Sequence, residues 1–357
     1  MPDFVPGRTL SRMLYDEAVA PLLFRHLPGL PHAAALLGGG SEVLGFDTAR
    51  STDHDWGPRL QLFLTPRDLA RHGGRLHEVL DQHLPPHVAG WPIDLAHRRA
   101  SRTPAPDAPR HGVEVTTLGD WLTAALGFDP RDSVSVLRWL SMPTQRLAEV
   151  TGGAVHHDDT GELGRVRTAL AWYPDDVWRY VLAAGWDRVG QDEHLMARAG
   201  EVGDALGASV IAARIVRDLM QLALLMERRY PPYAKWLGSA VAALPGSAGL
   251  HGQLLATVRA GDPAEREREY LLAATHLAQR HNELGITPPV DPAPRAFHDR
   301  PFRVLGADRF ATALLASIGD PAVRQLRPVG NLSQLSDNTQ VLVHAARYLP
   351  ITEAALS

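Results

Sequence analysis

The residues best suited to chemistry lie between Leu37 and Leu64. Leu37-Gly38-Gly39-Gly40-Ser41 opens the stretch, and Asp53-His54-Asp55-Trp56-Gly57 follows twelve residues beyond Ser41. Glycines carry no Cβ, so their backbone N–H groups can approach a phosphate closely. On a strand, residues i and i+2 share a face, so Asp53 and Asp55 can converge on one divalent cation. Mg²⁺ takes one or two carboxylates, keeps some waters and accepts phosphate oxygens for the rest. A phosphate loop beside such a pair is what nucleotidyl transfer needs. A surface turn with two solvated aspartates would also contain Asp-x-Asp. The glycine turn ahead and the apolar run behind favour the metal reading.

Gly40-Ser41 followed by Asp53-x-Asp55 resembles the signature of nucleotidyltransferases of the DNA polymerase β type. The fuller text from Gly45 to Gly57 is similar to an uncharacterised bacterial nucleotidyltransferase-like domain family. The helical half is more distantly similar to kanamycin-type aminoglycoside nucleotidyltransferases. The resemblance implies an N-terminal polymerase-β-type domain, a small mixed sheet with helices, followed by an all-α C-terminal bundle. It implies Mg²⁺-dependent transfer of a nucleoside monophosphate from an NTP, ATP first among them, to a hydroxyl of an unidentified acceptor, with release of pyrophosphate. That acceptor is an aminoglycoside-like compound, another small metabolite or a protein. Gly39, Gly40 and Ser41 would hold the triphosphate, and Asp53 and Asp55 the metal. The superfamily commonly places a third acidic residue on a later strand, which points to Glu114; an edge strand with an outward glutamate is the alternative.

In transferases of this fold a helical domain completes the substrate cleft and supplies cations. Glu227-Arg228-Arg229-Tyr230-Pro231-Pro232-Tyr233-Ala234-Lys235-Trp236 is the best candidate. Arg229 and Lys235 suit a triphosphate, and Tyr233 offers a ring to a base. Dipole complementation and ordinary packing explain the same residues without a ligand. Glu193 and Glu201, on a helical stretch with His194 and Arg198, are candidates for the base that takes the acceptor's proton, as is Glu114; salt-bridged solvent exposure is the alternative. Two other readings stay open. One is a metal-dependent phosphohydrolase using His54-Asp55 with His156 and His157, and the other is a nucleotide-binding protein without catalysis. The cluster His156-His157-Asp158-Asp159 reads as a solvated turn, because consecutive strand residues face opposite sides.

Composition bounds these readings. The 357 residues suffice for two domains, and a net charge of -4 advertises neither nucleic-acid nor membrane binding. With no cysteine, thiol nucleophiles and cysteine metal sites are excluded. No signal peptide is visible, and the most apolar segment, from Ser209 to Met226, is interrupted by Arg214, Arg217 and Asp218. The expectation is a cytoplasmic monomer or homodimer.

The elements that must position these groups follow from periodicity. Leu10 to Leu27 reads as one amphipathic helix, stopped by Pro28-Gly29. Pro31 to Leu37 reads as a short helix or strand, Arg59 to Thr65 as a strand, and Pro66 to about Leu84 as a helix. A strand should end near Ile93. Residues 97 to 111, rich in Arg and Pro, read as an exposed loop with Arg98, Arg99, Arg102 and Arg110 solvated. Gly112 to Thr117 alternates with period two, helices span Leu118–Leu126 and Val134–Leu140, and one last strand falls within Thr151 to Gly161. The expected domains are residues 1–160 and 161–357. Helices in the second are expected at Leu163–Leu170, Val177–Trp186, Asp192–Leu206, Ala208–Tyr230, Trp236–Leu244, Leu250–Val258 and Asp262–Gly285. The tail from about residue 296 has no assigned place.

Overall fold

A computed structural model of the chain describes residues 2–53, 56–94 and 111–357, with Asp53 described in its backbone alone. His54, Asp55 and the four arginines of the expected loop therefore lie outside the described residues. The protein is mixed α/β and mostly helical. By internal contacts it divides into two compact units, Met1–Ser133 with Arg146–Ala171, and Val134–Gln145 with Trp172–Ser357. The expected cut near residue 160 falls inside the second segment of the first unit.

The first unit opens with α1 (Gly7–Leu14), a π-helical turn (Tyr15–Val19) and α2 (Ala20–His26), where one regular helix was expected. Pro21 explains the difference. It has no N–H to donate, and its ring would crowd the carbonyl four residues back, so the turn before it widens. Next come β1 (Ala33–Leu36), the one-turn helix α3 (Ser41–Leu44), β2 (Leu60–Leu64), α4 (Pro66–His83) and the ladder of β3 (His87–Val88) with β4 (Trp91–Pro92). Then follow β5 (Val113–Thr117) and α5 (Leu118–Leu126); after α6 (Val136–Ser141), which belongs to the second unit, and α7 (Thr144–Thr151), the first unit ends with β6 (Ala154–Asp158) and α8 (Glu162–Ala169).

Four strands form one mixed sheet in the order β5-β2-β1-β6. β2 runs parallel to β5, and β1 runs antiparallel to both β2 and β6. Leu60, Leu62 and Leu64 alternate onto one face, where they pack with Leu14, Leu22, Leu76 and Leu80 from the flanking helices. Both strand-to-helix exits carry Thr-x-x-Asp. Thr65 and Thr117 cap α4 and α5 by accepting from the N–H groups of Asp68 and Asp120.

The second unit is helical around α9 (Asp175–Glu201) and α10 (Ala205–Met226), joined at Gly203. The break expected between Trp186 and Asp192 does not occur. Gly190, the weakest helix former there, is where the backbone of Asp308 comes in; a Cβ would stand 3.0 Å from its N. Further helices are α11 (Ala234–Ala242), α12 (Ala248–Arg259) and α13 (Pro263–Glu283), the last capped by Asp262. The tail brings the ladder of β7 (Arg295–Ala296) with β8 (Arg303–Val304), and then α14 (Asp308–Ala316). It packs on α9: Trp186 stacks on Phe310 at 4.9 Å, and the Tyr180 hydroxyl donates to the Arg327 carbonyl at 2.6 Å.

Candidate functional site

The glycine turn leaves the end of β1 and enters α3. Gly38 N–H donates to the Glu149 carbonyl at 3.1 Å, and Leu37 N–H donates to Gln61 Oε1 at 2.9 Å. Beyond them, the N–H groups of Gly39, Gly40 and Ser41 have no acceptor among the described residues. Gly40 sits at φ 146°, and a Cβ there would lie 2.5 Å from Glu42 Oε1 and 2.7 Å from an Arg59 nitrogen. Only glycine fits.

Glu42 and Arg59 hold the turn from beneath. Glu42 is 1% exposed, and Arg59 meets its Oε1 through Nε at 2.9 Å and Nη2 at 2.6 Å. Arg59 also donates to the carbonyls of Leu37 and Gly39. A buried carboxylate that would repel a phosphate is thereby neutralised by a guanidinium suited to it. Arg146 does the same for Glu149, at 2.6 Å. None of these four charged residues stands out in the sequence, because each is an ordinary charge until the fold pairs it.

Asp53 closes a 3-10 turn (Ala49–Asp53), and β2 begins only at Leu60. The strand alternation that paired it with Asp55 therefore does not describe Asp53. Glu114 is exposed on β5 opposite Gln61, whose amide donates to its Oε2 at 3.3 Å. Gln61 thus links Glu114 to the start of the glycine turn, a connection the sequence did not reveal.

In the second unit the candidates separate. Glu193 is 4% exposed and accepts from Tyr270 Oη at 2.8 Å and from the N–H groups of Leu305, Gly306 and Ala307 at 2.7, 3.0 and 2.9 Å. Burial raises its pKa against these four donors. Its oxygens are enclosed, so the expectation that it serves as a general base does not fit; it anchors the tail on α9. Glu201 ion-pairs with Arg300 at 3.1 Å. Tyr230 is buried against Trp172 and Tyr173, so it is a packed ring and not a stacking platform. Tyr233 is 45% exposed, and its backbone N–H donates to Gln145. Lys235 is exposed, with Nζ 4.9 Å from the Trp236 ring centre, and Arg229 is exposed as well.

At the other end of β1 the structure corrects the reading of a solvated turn. The β1–β6 register shifts between Ala34 and Ala35, an irregularity that leaves His156 without a partner residue. The alternation that should separate His156 from His157 is broken there, and both rings stack on Tyr15, at 6.1 and 5.9 Å. Ser11 Oγ lies 2.7 Å from His156 Nε2, and burial lowers the pKa of that imidazole to about 4. Burial likewise lowers His32, and it raises Tyr15 to about 12. Asp159 is held below its ordinary value, first by the His32 N–H and also by His157.

Residues 139–237 match the model of a family described as a domain of unknown function, DUF4037. The matched stretch runs from within α6 to within α11, so it leaves out the glycine turn and Asp53. No curated protein and no solved structure matches the chain. No helix among the described residues is long and apolar enough to cross a membrane.

Proposed function

We propose that this chain is a nucleotidyltransferase of the polymerase β type, with its triphosphate site at the Gly38–Ser41 turn. The observation that carries the reading is the set of N–H groups at Gly39, Gly40 and Ser41 that lack acceptors, on a turn held by the neutralised Glu42–Arg59 pair. Such N–H groups are donors suited to phosphate oxygens. Asp53 and Asp55 would hold Mg²⁺, which supplies charge neutralisation on the phosphates. The acceptor's hydroxyl oxygen attacks the α-phosphorus, its bond to the bridging oxygen of the β-phosphate breaks, and pyrophosphate leaves. Glu114, exposed and tied through Gln61 to the turn, takes the hydroxyl proton. Lys235, Arg229, Tyr233 and Glu201 stand as candidates on the helical unit alone.

The placement of Asp53 on a 3-10 turn favours a second reading, a protein that binds nucleotide without transferring it. One experiment separates the two. Thermal melting with Mg²⁺ and each NTP, run beside a pyrophosphate-release assay over an acceptor panel, should give an NTP-dependent rise in Tm and turnover abolished by Asp53→Asn or Asp55→Asn. A rise without turnover supports the second reading, and no rise with any NTP rejects both.

A further inference from the structure

We infer that the sheet carries a second site, a centre for a transition-metal dication such as Zn²⁺, held by His32, His157 and Asp159. It lies at the opposite end of β1 from the glycine turn, because His32 precedes the strand and Gly38 follows it. Asp159 N–H donates to the His32 carbonyl at 3.1 Å, so the β1–β6 pairing itself brings the side chains together.

One ligand atom from each of the three lies within 4.8 Å of the others. His157 Nε2 stands 2.9 Å from Asp159 Oδ1, and His32 Nδ1 stands 3.6 Å from Asp159 Oδ2. A small inward movement of the part-exposed His157 and the exposed Asp159 would bring all three to the roughly 2.0–2.2 Å bonds of zinc. Two imidazoles and one carboxylate select zinc, iron or nickel over the all-oxygen preference of Mg²⁺, and three protein ligands leave one position open.

The surroundings are built rather than incidental. Tyr15 Oη lies 3.0 Å from His32 Nε2, and the His32 and His157 rings stack at 4.5 Å. Free of metal, His32 Nδ1–H donates to the Leu30 carbonyl at 2.9 Å. With Nδ1 on the metal, that proton belongs on Nε2 and is donated to Tyr15, the outer partner that fixes a ligating histidine. Tyr15 sits on the π-helical turn, and His156 on the register irregularity. Both distortions recur at functional sites, and here they converge on one cluster.

The test is calorimetric titration of Zn²⁺ alone into tag-free full-length protein, with the visible spectrum of the Co²⁺ form as a second readout. Wild type should bind one equivalent and give a Co²⁺ spectrum of nitrogen ligation. The Asp53→Asn/Asp55→Asn double variant should bind the same equivalent. His157→Gln, on a part-exposed side chain, and Asp159→Asn, on an exposed one, should bind at least about tenfold more weakly at unchanged Tm, and Tyr15→Phe about tenfold more weakly with its ring retained. Absence of binding by wild type, unchanged affinity in His157→Gln and Asp159→Asn, or loss of the equivalent in the Asp53/Asp55 variant would each overturn the assignment.

Discussion

Two buried glutamates, one in each unit, show how the same side chain can leave a site open or close it. Glu42 is 1% exposed and Glu193 is 4% exposed. Arg59 takes up the charge of Glu42, so the neighbouring N–H groups of Gly39 to Ser41 are not drawn to it. Glu193 has no salt bridge among the described residues; one tyrosine hydroxyl and three consecutive backbone N–H groups satisfy it. A carboxylate paired with a guanidinium supports a turn whose donors face no protein acceptor. A carboxylate solvated by backbone consumes those donors and fixes a loop. Burial alone therefore does not mark a functional acid; the identity of its donors does.

The largest expected effect tests the exposed third glutamate against these two. Glu114→Gln should lower nucleotidyl transfer by about 10²–10⁴-fold with NTP binding retained, read from initial rates and calorimetry. A rate within twofold of wild type removes Glu114 from the chemistry.

Next come the buried pair themselves. Arg59→Met strands the Glu42 charge and should destabilise by about 3–5 kcal/mol in urea denaturation while also abolishing NTP binding. Glu193→Ala leaves four donors, three of them buried, without an acceptor and should cost a similar ~3–5 kcal/mol, yet spare NTP affinity in whatever fraction remains folded. If Glu193→Ala removed NTP binding at full stability, the contrast between the two glutamates would fail.

A smaller effect concerns pH in the helical unit. His281 is fully buried against Trp186 and Phe310, and its pKa is lowered from 6.5 to about 4 by desolvation. Its folded form takes up a proton later than its unfolded form as pH falls. The contribution is therefore complete above about pH 6.5, is lost between there and pH 4, and amounts to at most about 3 kcal/mol. His281→Phe should flatten the stability–pH curve in that window, followed by chemical denaturation at stepped pH; an unchanged slope would mean that His281 titrates normally. The smallest effect is expected of Glu201→Gln, which breaks a part-exposed ion pair with Arg300 and should change stability by under about 1 kcal/mol.

Much of the fold was legible in the residues. Leu118–Leu126 is the helix expected, Pro66 opens α4, and Asp262 caps α13, since these signals are local and act through the nearest backbone groups. Errors arose where a distant residue intervened. The helix across Gly190 continues because Asp308 packs there, and His156 and His157 share Tyr15 because a register irregularity cancels strand alternation. For the candidate site, the glycine turn was legible from composition and spacing. Arg59, Gln61 and Glu149 were not, because nothing near them in the chain indicates that they meet it.

By itself the sequence determined a mixed α/β chain rich in helices, the glycine turn and the absence of thiol chemistry, because backbone propensity, capping and residue type are short-range properties. Tertiary structure alone decided which carboxylate is enclosed, which is neutralised and which is exposed, and it alone brought His32 to His157 and Asp159 across the sheet. Charge and metal affinity depend on neighbours a few ångströms away in space, and those neighbours come from strands that only long-range pairing sets side by side.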